Sequence, residues 1–335
     1  MSFAEPRRPT TMTSQMVALR EASELQFEQY RVELTGYCYR MLGSAFEAED
    51  AVQDTFVKAW KNVDRFEGRS ALRTWLYSIA TNVCLDMLGA RERRARPMDL
   101  GPAREPIIEN LATQPEVTWI TPIPDGLVVP EGDPADVAVA RDTIRLAFVA
   151  ALQHLPPRQR AVLILCEVLR WKASEVAELL DTSVASVNSA LQRARAGLES
   201  ADLTIAEPAE EIDRELLDRY VQAFESYDID ALTALLREDA TQSMPPFDLW
   251  LRGRDDVLTW WFGPGIGCQG SRLIPVQTTN GSPAWGQYKP SPDGGYEPWA
   301  LQVIEFARGE VVECTFFLDT AALFPLYGLP ARLDD

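Results

Sequence analysis

Aromatic, arginine and amide side chains occur together on one predicted helix in the first third of the chain. Trp75 and Asn82 fall on one shoulder of that helix, and Arg73 and Tyr77 fall on the other, directly after a Gly-Arg-Ser turn at 68–70. Bases stack on aromatic rings and guanidinium groups hold phosphates, so this mixture suits single-stranded nucleic acid. The alternative is that both aromatic residues are boundary core residues whose polar tips reach water.

A second set of polar side chains lies in a helix, turn, helix pattern between residues 174 and 198. The spacing predicts that the second helix buries Val184, Val187, Leu191, Ala194 and Leu198. Its outer face then carries Ser186, Asn188, Ser189, Gln192, Arg193 and Arg195. Such residues read base edges in a major groove and bind phosphates, and Arg158 and Arg160 add cations in the first turn of an earlier helix. Any two packed helices can imitate this pattern.

Aromatic residues are frequent in the C-terminal part, where a pocket would be lined by Trp250, Trp260, Trp261, Tyr288, Trp299 and Phe316. Such a set belongs to a core more often than to a ligand site. An enzyme would need an acid or base there, and Asp248, Asp255 or Asp319 are available, without a pairing that selects one. No histidine occurs in this part of the sequence.

Composition and periodicity divide the chain into several domains. Helical periodicity holds over two stretches, which a proline-rich acidic linker separates, and strand-like runs from about Ser271 follow further helices. We therefore expect a multidomain protein with two all-α domains followed by an α+β domain. The predicted divisions are a disordered tail at 1–20, a helical domain at 21–96, the linker at 97–134, a helix-turn-helix domain at 135–201 and the α+β domain at 207–331.

The net charge of −18 is unevenly distributed along the sequence. Residues 1–100 hold 14 basic and 14 acidic side chains, whereas residues 201–335 hold 9 basic and 23 acidic ones. The helical part can therefore still contact DNA, although it is not basic enough to bind DNA tightly by phosphate neutralisation alone. Help from a larger partner is implied.

The cysteines bear on the compartment and on metal binding. The five are far apart and never form a Cys-X-X-Cys pair, which favours reduced thiols and argues against a zinc site. No apolar run approaches the length of a membrane span, and residues 1–20 lack the apolar core of a signal peptide. We expect a cytoplasmic protein with neither a metal nor a cofactor.

Two runs in the first predicted domain resemble region two of the extracytoplasmic-function (ECF) sigma factors, the promoter-recognition subunits of RNA polymerase. They are AEDAVQDTFVKAW at 48–60 and LRTWLYSIATNVCLD at 72–86. The resemblance implies a surface that grips the polymerase clamp helices, formed by Asp50, Gln53, Asp54 and Phe56. It also implies a site for the minus-ten promoter element, where a base is extruded, formed by Arg69, Ser70, Arg73, Trp75 and Asn82.

Residues 155–198 resemble region four of the same family, which binds the minus-thirty-five element through the polar face described above. Members often carry a lysine and an arginine where Asn188 and Ala190 stand, so weaker phosphate attraction is expected. Residues 212–330 resemble the SnoaL-like group by pattern, and that resemblance implies a curved sheet wrapped around helices to form a cone with a pocket. The matched features are helices at 216–228 and 230–237 and strands at 300–306 and 311–317.

Together the resemblances imply a sigma factor that binds core polymerase, through its beta-prime clamp and beta flap, and promoter DNA. It would direct promoter recognition, melting and initiation without catalysing chemistry itself. The acidic C-terminal domain is expected to modulate this activity by docking on the basic DNA-reading surfaces or on the polymerase. The linker can be extended or docked. A dimeric helix-turn-helix regulator and a bifunctional enzyme using the pocket are the alternatives.

Overall fold

The computed structural model describes residues 26–63, 66, 71–89, 93–200 and 214–334. The tail predicted at 1–20 and two predicted DNA contacts, Arg69 and Ser70, lie outside these ranges. The described chain is helical up to Ser200 and combines helices with a sheet after that residue. This order confirms the predicted fold class. Within the described ranges, no helix has both the length and the apolar character that a membrane crossing needs.

The first helical domain packs three main helices around an apolar core. They are α1 (Arg31–Leu42), α2 (Ala45–Asn62) and α3 (Leu72–Leu88). The hydroxyl of Ser44 accepts a hydrogen bond from the backbone N–H of Glu47, which satisfies one donor in the first turn of α2. Ala48, Val52 and Ala59 are buried at helical spacing, so the opposite face of α2 remains exposed.

The second helical domain contains the predicted helix-turn-helix. Its helices are α5 (Pro134–Asp142), α6 (Leu146–Gln153), α7 (Pro157–Leu163), α8 (Ala173–Leu179) and α9 (Val184–Ser200). The hydroxyl of Ser183 accepts a hydrogen bond from the backbone N–H of Ser186 at 3.1 Å and caps α9. Val187 and Ala194 are buried as predicted. The prediction for Val184 is wrong, because this first residue of α9 lies beyond the contact with α8 and is 44% exposed.

The proline-rich linker, whose only regular helix is the short α4 (Pro97–Leu100), is docked rather than extended. Its buried apolar residues are Trp119, Ile120, Ile123 and Val128. The Thr121 hydroxyl accepts a hydrogen bond from the backbone N–H of Ala45 at 2.7 Å, and the Thr121 carbonyl accepts one from the Tyr39 hydroxyl at 2.9 Å. The linker is therefore fixed where α1 ends and α2 begins.

The C-terminal unit is a mixed sheet with helices. The helices are α10 (Arg214–Ser226), α11 (Ile229–Leu235), α12 (Arg254–Phe262) and α13 (Thr320–Leu326). The strands are β1 (Leu236–Ser243), β2 (Trp250–Arg252), β3 (Arg272–Pro275), β4 (Ala284–Pro290), β5 (Tyr296–Ala307) and β6 (Glu310–Phe317). The strand order is β2-β1-β6-β5-β4-β3, and only the β1–β6 pair is parallel.

Two expectations for this unit need correction. The sheet begins at Leu236 rather than near Ser271, and the second helix ends at Leu235 instead of Arg237. Leu236 is drawn into β1 because it is buried and pairs with Val311 of β6. The polar composition of β1 hid this strand, since its exposed residues are charged.

The two faces of the β5–β6 hairpin pack into two different hydrophobic cores. One face contributes to the core of the C-terminal unit with Ala300, Ile304, Cys314 and Phe316. The other face contributes to a core shared with the helical domains with Leu301, Val303 and Phe317. Because side chains alternate across a strand, a single sheet can serve both cores. The sheet thus carries its own helices on one side and the helical half of the molecule on the other.

Candidate nucleic-acid and polymerase interfaces

The exposed face of α2 carries the residues that were predicted to bind a protein. Asp50, Gln53 and Asp54 are exposed, and Phe56 is half-buried beneath the guanidinium of Arg31, whose carbon lies 5.0 Å from the ring centroid. Val57 beside them is 41% exposed. An acidic and polar helix face with an exposed valine suits a protein partner rather than a phosphate backbone.

Trp75 and Asn82 lie together at a concavity of about 380 Å³. Its walls are completed by Ile79 and by Lys58 and Asn62 of α2. Phe66 stacks on Trp75, with 4.9 Å between ring centroids, and holds the indole in place. Aromatic, amide and ammonium groups around one concavity can stack a base, bond its edge and neutralise its phosphate. Lys58 and Asn62 were missed in the sequence, although their spacing of four already placed both on one helix face.

Arg73 is not part of that concavity. Its guanidinium bonds the carboxylate of Glu33 at 2.8 Å and lies over the rings of Tyr77 and Trp171, at 5.3 and 5.2 Å from their centroids. Trp171 comes from the second helical domain, and its ring is 5.0 Å from that of Tyr77. A predicted DNA contact is thus held in the contact between the two helical domains, which we call the seam.

A buried arginine from each domain crosses the seam. Arg40 of α1 donates to the carbonyl of Ala140 at 3.0 Å and to the hydroxyl of Thr143 at 2.8 Å. Burial lowers the pKa of Arg40 to about 10. These bonds hold the end of α5 near α1, because a buried guanidinium needs acceptors and its acceptors among the described residues lie in the partner domain and in its own helix.

Arg160 is the second seam arginine, and its predicted role in DNA contact is wrong. The side chain is 3% exposed and donates to the carbonyl of Met41 in α1, to Oε1 of Gln153 at 2.6 Å and to the carbonyl of Leu155 at 3.1 Å. Burial lowers its pKa to about 10. Arg158, two residues earlier, is exposed and can still reach a phosphate.

The outer face of α9 is open to solvent. All six polar residues predicted there are exposed, namely Ser186, Asn188, Ser189, Gln192, Arg193 and Arg195. Arg193 donates to the Ser189 hydroxyl at 2.7 Å, and Arg195 pairs with Glu167. These contacts hold two cations beside short polar side chains on one helix face, as base reading in a major groove requires. The acidic domain does not cover this face, so the predicted docking on it is wrong.

The C-terminal sheet instead meets the helical half through a charged cluster. Arg145 pairs with Glu305 at 2.6 Å, and both side chains are less than a tenth exposed. Glu313 lies directly opposite Glu305 on the neighbouring strand, and the charge of Arg96 acts on it. Burial, together with the nearby Glu305 carboxylate, raises the pKa of Glu313 to about 7. We call these four residues the clasp.

One amide joins all parts of the molecule. Asn280, in the turn before β4, donates to the Tyr39 hydroxyl at 2.7 Å and to the carbonyl of Ile144 at 2.6 Å. Its side-chain oxygen accepts from the backbone N–H of Ile123 at 2.9 Å. The C-terminal unit is therefore bonded to the first domain, the second domain and the linker at a single buried point.

The linker adds contacts at the opposite edge of the sheet. The indole N–H of Trp250 in β2 donates to the carbonyl of Gly101 at 2.8 Å. Arg104 pairs with Asp248 at 2.9 Å, which accounts for one aspartate that was considered as a catalytic base. This edge of the sheet is therefore in direct contact with the linker.

The residues predicted for a pocket are not gathered in one place. Trp261 belongs to the core of the C-terminal unit and Tyr288 to the shared core, while Trp250 contacts the linker. Trp299 is 39% exposed, and the ammonium of Lys289 lies 3.0 Å from its ring centroid. The buried members of this set lie in hydrophobic cores, the interpretation that the sequence favoured, and the strand residues are divided because alternate residues face opposite sides of the sheet.

The interior of the cone is filled with aromatic rings and a chain of neutral polar groups. The Tyr220 hydroxyl donates to the Gln302 amide oxygen at 2.8 Å, and the Gln302 amide donates to that of Gln287 at 3.0 Å. Gln287 in turn donates to the Ser271 hydroxyl at 3.0 Å. This chain satisfies buried polar groups and rigidifies the core.

Two family models match this chain, in the order that its helical domains follow. The model of Sigma-70 region 2 matches residues 26–94, and the model of Sigma-70 region 4 matches residues 145–198. These ranges contain the α2 face, the concavity and the outer face of α9.

Whole-length comparisons point the same way. The chain is 45% identical to the ECF RNA polymerase sigma factor SigG of Mycobacterium tuberculosis over 313 residues, which cover 91% of this chain and 83% of SigG. A crystal structure of the M. tuberculosis ECF sigma factor SigJ is similar in fold, with a TM-score of 0.59 and 23% identity, and covers 91% of this chain and 99% of that chain. An NTF2-like protein from Burkholderia xenovorans covers 31% of this chain and 80% of its own, with 24% identity and a TM-score of 0.27.

Proposed function

This chain belongs to the ECF sigma factors of RNA polymerase, and from that premise we propose that its C-terminal SnoaL-like domain restrains it in a closed form. The family implies promoter recognition and transcription initiation with core polymerase, and its members are regulators rather than catalysts. The structure of this molecule adds the seam and the clasp to these family features. The contact of Arg73 and Tyr77 with Trp171 is the observation that carries the proposal.

Each candidate surface receives one task in this proposal. The α2 face with Asp50, Gln53, Asp54 and Phe56 binds the polymerase clamp, and the flap would bind the second domain. The concavity at Trp75 and Asn82 takes an extruded base of the minus-ten element, assisted by Lys58. The outer face of α9 and Arg158 read the minus-thirty-five element. The proposed functional divisions are those at 21–96, 135–201 and 207–331.

The closed form cannot occupy both promoter elements at once. The two elements are about 25 base pairs apart, which is about 85 Å along B-form DNA. Two touching domains of this size, each about 30 Å across, can place their reading surfaces at most about 60 Å apart. The seam must therefore open before the first and second domains bind both elements.

The C-terminal domain is placed to resist this opening. The clasp joins its sheet to Arg145 at the start of the second domain and to Arg96 at the end of the first, and Asn280 bonds both helical domains. Opening the seam would separate the acceptors in the first and second domains that Asn280 bonds at the same time, so the docked domain opposes the opening. Release of the domain is then a step of activation.

A charge swap at the clasp tests this restraint in the full-length chain. Arg145→Glu and Glu305→Arg each place like charges in contact, and the double variant restores an opposite pair. We expect each single variant to increase the radius of gyration in X-ray scattering and to increase transcription by purified core polymerase several-fold. The template is the region upstream of the protein's own gene. The double variant should return both values toward those of the unmodified chain.

The same assay separates the parts of the proposal. Unchanged transcription and unchanged dimensions in both single variants would contradict the restraint but leave the sigma role intact. An absence of initiation from all four proteins, combined with no binding to core polymerase, would contradict the proposed tasks of the surfaces. If the radius of gyration rises in the single variants and stays high in the double variant, the domain has unfolded rather than been released.

A further inference from the structure

A cavity among the described residues lies where three parts of the molecule meet. It has a volume of about 670 Å³, within the range of sites that bind drug-sized molecules. Phe46 at the start of α2 contributes from the first domain, residues 114, 116 and 119–122 from the linker, and Phe247, Trp299 and Phe317 from the C-terminal domain. Removing any one of the three parts would remove a wall.

This cavity is separate from the interior of the SnoaL-like cone. The cone is filled by the rings of Tyr220, Phe224 and Trp261 together with the hydrogen-bond chain of Gln302. Phe316 points into that filled interior, whereas the adjacent Phe317 lines the cavity, so the two spaces lie on opposite faces of β6. The cavity is therefore created by docking of the domain and not by the fold of the domain alone.

The lining indicates the chemistry of a ligand. Aromatic and aliphatic side chains predominate, and the ionisable side chains among the described lining residues are the carboxylates of Glu116 and Asp319. Both residues are exposed, and Asp319 also accepts a hydrogen bond from the backbone N–H of Ala322 at the start of α13, so its second carboxylate oxygen is the one open to a bound molecule. Trp119, in the wall, is buried, and its indole nitrogen has no hydrogen-bond partner among the described residues. Ring faces and carboxylates together attract a cation with an apolar body.

We propose that this cavity binds an amphiphilic organic cation, and that binding stabilises the closed form. The proposal that the cavity binds a cation depends on the cavity alone. The proposal that binding stabilises the closed form rests on the proposed restraint. A ligand that contacts all three walls has its full set of contacts only while the domain is docked, so binding shifts the population toward the closed form. Such a molecule would act as a repressing signal for this sigma factor.

A pair of probes with the same shape and opposite charge tests the first part. Tetraphenylphosphonium and tetraphenylborate carry the same four phenyl groups around a cationic or an anionic centre. In calorimetry with the full-length chain we expect the phosphonium to bind at least tenfold more tightly than the borate. Equal binding, tighter binding of the borate, or no binding of the phosphonium at millimolar concentration would each overturn the assignment.

Variants locate the binding. Glu116→Gln and Asp319→Asn each remove one partly screened charge pair and should weaken phosphonium binding about two- to fivefold. Glu109→Gln, an exposed linker carboxylate outside the lining, is the matched control and should leave the affinity unchanged. The ammonium of Lys289, which lies on the Trp299 ring, opposes a cation, so Lys289→Gln should tighten phosphonium binding and weaken borate binding. Equal effects of Glu109→Gln and Glu116→Gln would overturn the location.

Transcription tests the second part. The phosphonium should lower initiation by the unmodified chain in proportion to occupancy and decrease its radius of gyration toward a compact limit. The double variant Glu116→Gln/Asp319→Asn should require a correspondingly higher concentration, which separates the effect from direct inhibition of polymerase. Binding without any change in transcription or dimensions would overturn the regulatory part. If the clasp variants also have no effect, the proposed restraint fails while the ligand site stands on the binding data.

Discussion

The arginines of the two helical domains divide between two regions of very different character. In the seam and the clasp, Arg40, Arg145 and Arg160 are less than a tenth exposed, and their partners include carbonyls, the Thr143 hydroxyl, the Gln153 amide oxygen and the Glu305 carboxylate. On the open face of the second domain, Arg158 and Arg193 are exposed. Arginine side chains thus join the domains in one region and are available to bind phosphate in the other. The difference teaches that the number of cations in a segment does not measure its affinity for DNA.

The comparison also separates the two promoter-reading surfaces. The outer face of α9 is free in the closed form, whereas the minus-ten surface is divided, with Trp75 and Asn82 at the open concavity and Arg73 in the seam. We therefore expect the closed form to keep its affinity for duplex DNA of the minus-thirty-five element and to lose affinity for single-stranded minus-ten DNA. Regulation by closure would act mainly on the first domain.

The largest effect should come from removing a seam arginine. Arg160→Met leaves the carbonyls of Met41 and Leu155 and the amide of Gln153 without their donor in a buried contact. Unpaired buried acceptors cost about 1–3 kcal/mol each, so we expect the free energy of unfolding of the helical half to fall by about 3 kcal/mol or more. Thermal and urea unfolding followed by circular dichroism measure this loss.

Arg158→Ala is the matched control on the open face. It should leave the unfolding curve unchanged and lower the affinity for minus-thirty-five duplex uniformly across sequences, with a salt slope reduced by about one. If Arg160→Met were as stable as Arg158→Ala but bound duplex more weakly, the assignment of Arg160 to the seam would be wrong.

A pH effect should identify the clasp. The pKa of Glu313 is raised to about 7 by burial and by Glu305, so the folded state favours the neutral carboxyl. Its stabilising contribution is complete below pH 4.5 and is lost as pH rises through about 7. Glu313→Gln keeps a neutral side chain at every pH. Its stability relative to the unmodified chain should therefore rise between pH 5 and pH 8, by about 1–3 kcal/mol.

The exposed Glu297 on β5 provides the control for that measurement. Glu297→Gln should give the same pH profile of stability as the unmodified chain, within about 0.5 kcal/mol. The two substitutions remove the same charge, so a difference between them reports on the position of Glu313 in the clasp. A constant offset for Glu313→Gln from pH 5 to pH 8 would contradict titration of this residue in the clasp.

A smaller effect should follow from weakening the aromatic contact of the seam. Trp171→Ala removes the ring that covers Tyr77 and Arg73, so the seam should open more often and free Arg73 for a phosphate. We expect the affinity for single-stranded minus-ten DNA to rise about two- to thirtyfold, since a cation–π contact contributes about 0.5–2 kcal/mol. Fluorescence anisotropy measures this change. Lys172→Ala, an exposed neighbour, should not raise the affinity, and a fall with Trp171→Ala would count against closure.

The sequence alone supported the fold class and the family, and particular residues show why. The run at 48–60 carries its apolar residues at helical spacing, so the exposure of Asp50, Gln53 and Asp54 follows from periodicity. The polar face of α9 followed for the same reason. These features are local, since each depends on the position of a residue within one helix.

Contacts between domains could not be predicted in that way. Nothing in the first turn of α7 distinguishes Arg160 from Arg158, yet one is buried against α1 and the other is exposed. In the sequence, Glu305 and Glu313 look like any other strand residues. The register of β5 and β6 places them opposite each other, and Glu305 pairs with Arg145. Such relations depend on the packing of segments far apart in the chain, and single-helix periodicity does not contain them.

The smallest effect tests the boundary of the open face itself. Val184 was expected in the core but is 44% exposed, while Val187, one turn later, is 1% exposed. Val184→Ser should change the free energy of unfolding by no more than about 0.5 kcal/mol, as surface substitutions do. Val187→Ser places a hydroxyl in the contact with α8 and should cost about 1–3 kcal/mol. Equal losses of stability would mean that Val184 is as buried as Val187. The outer face of α9 would then be centred on Ala185 and Ser189.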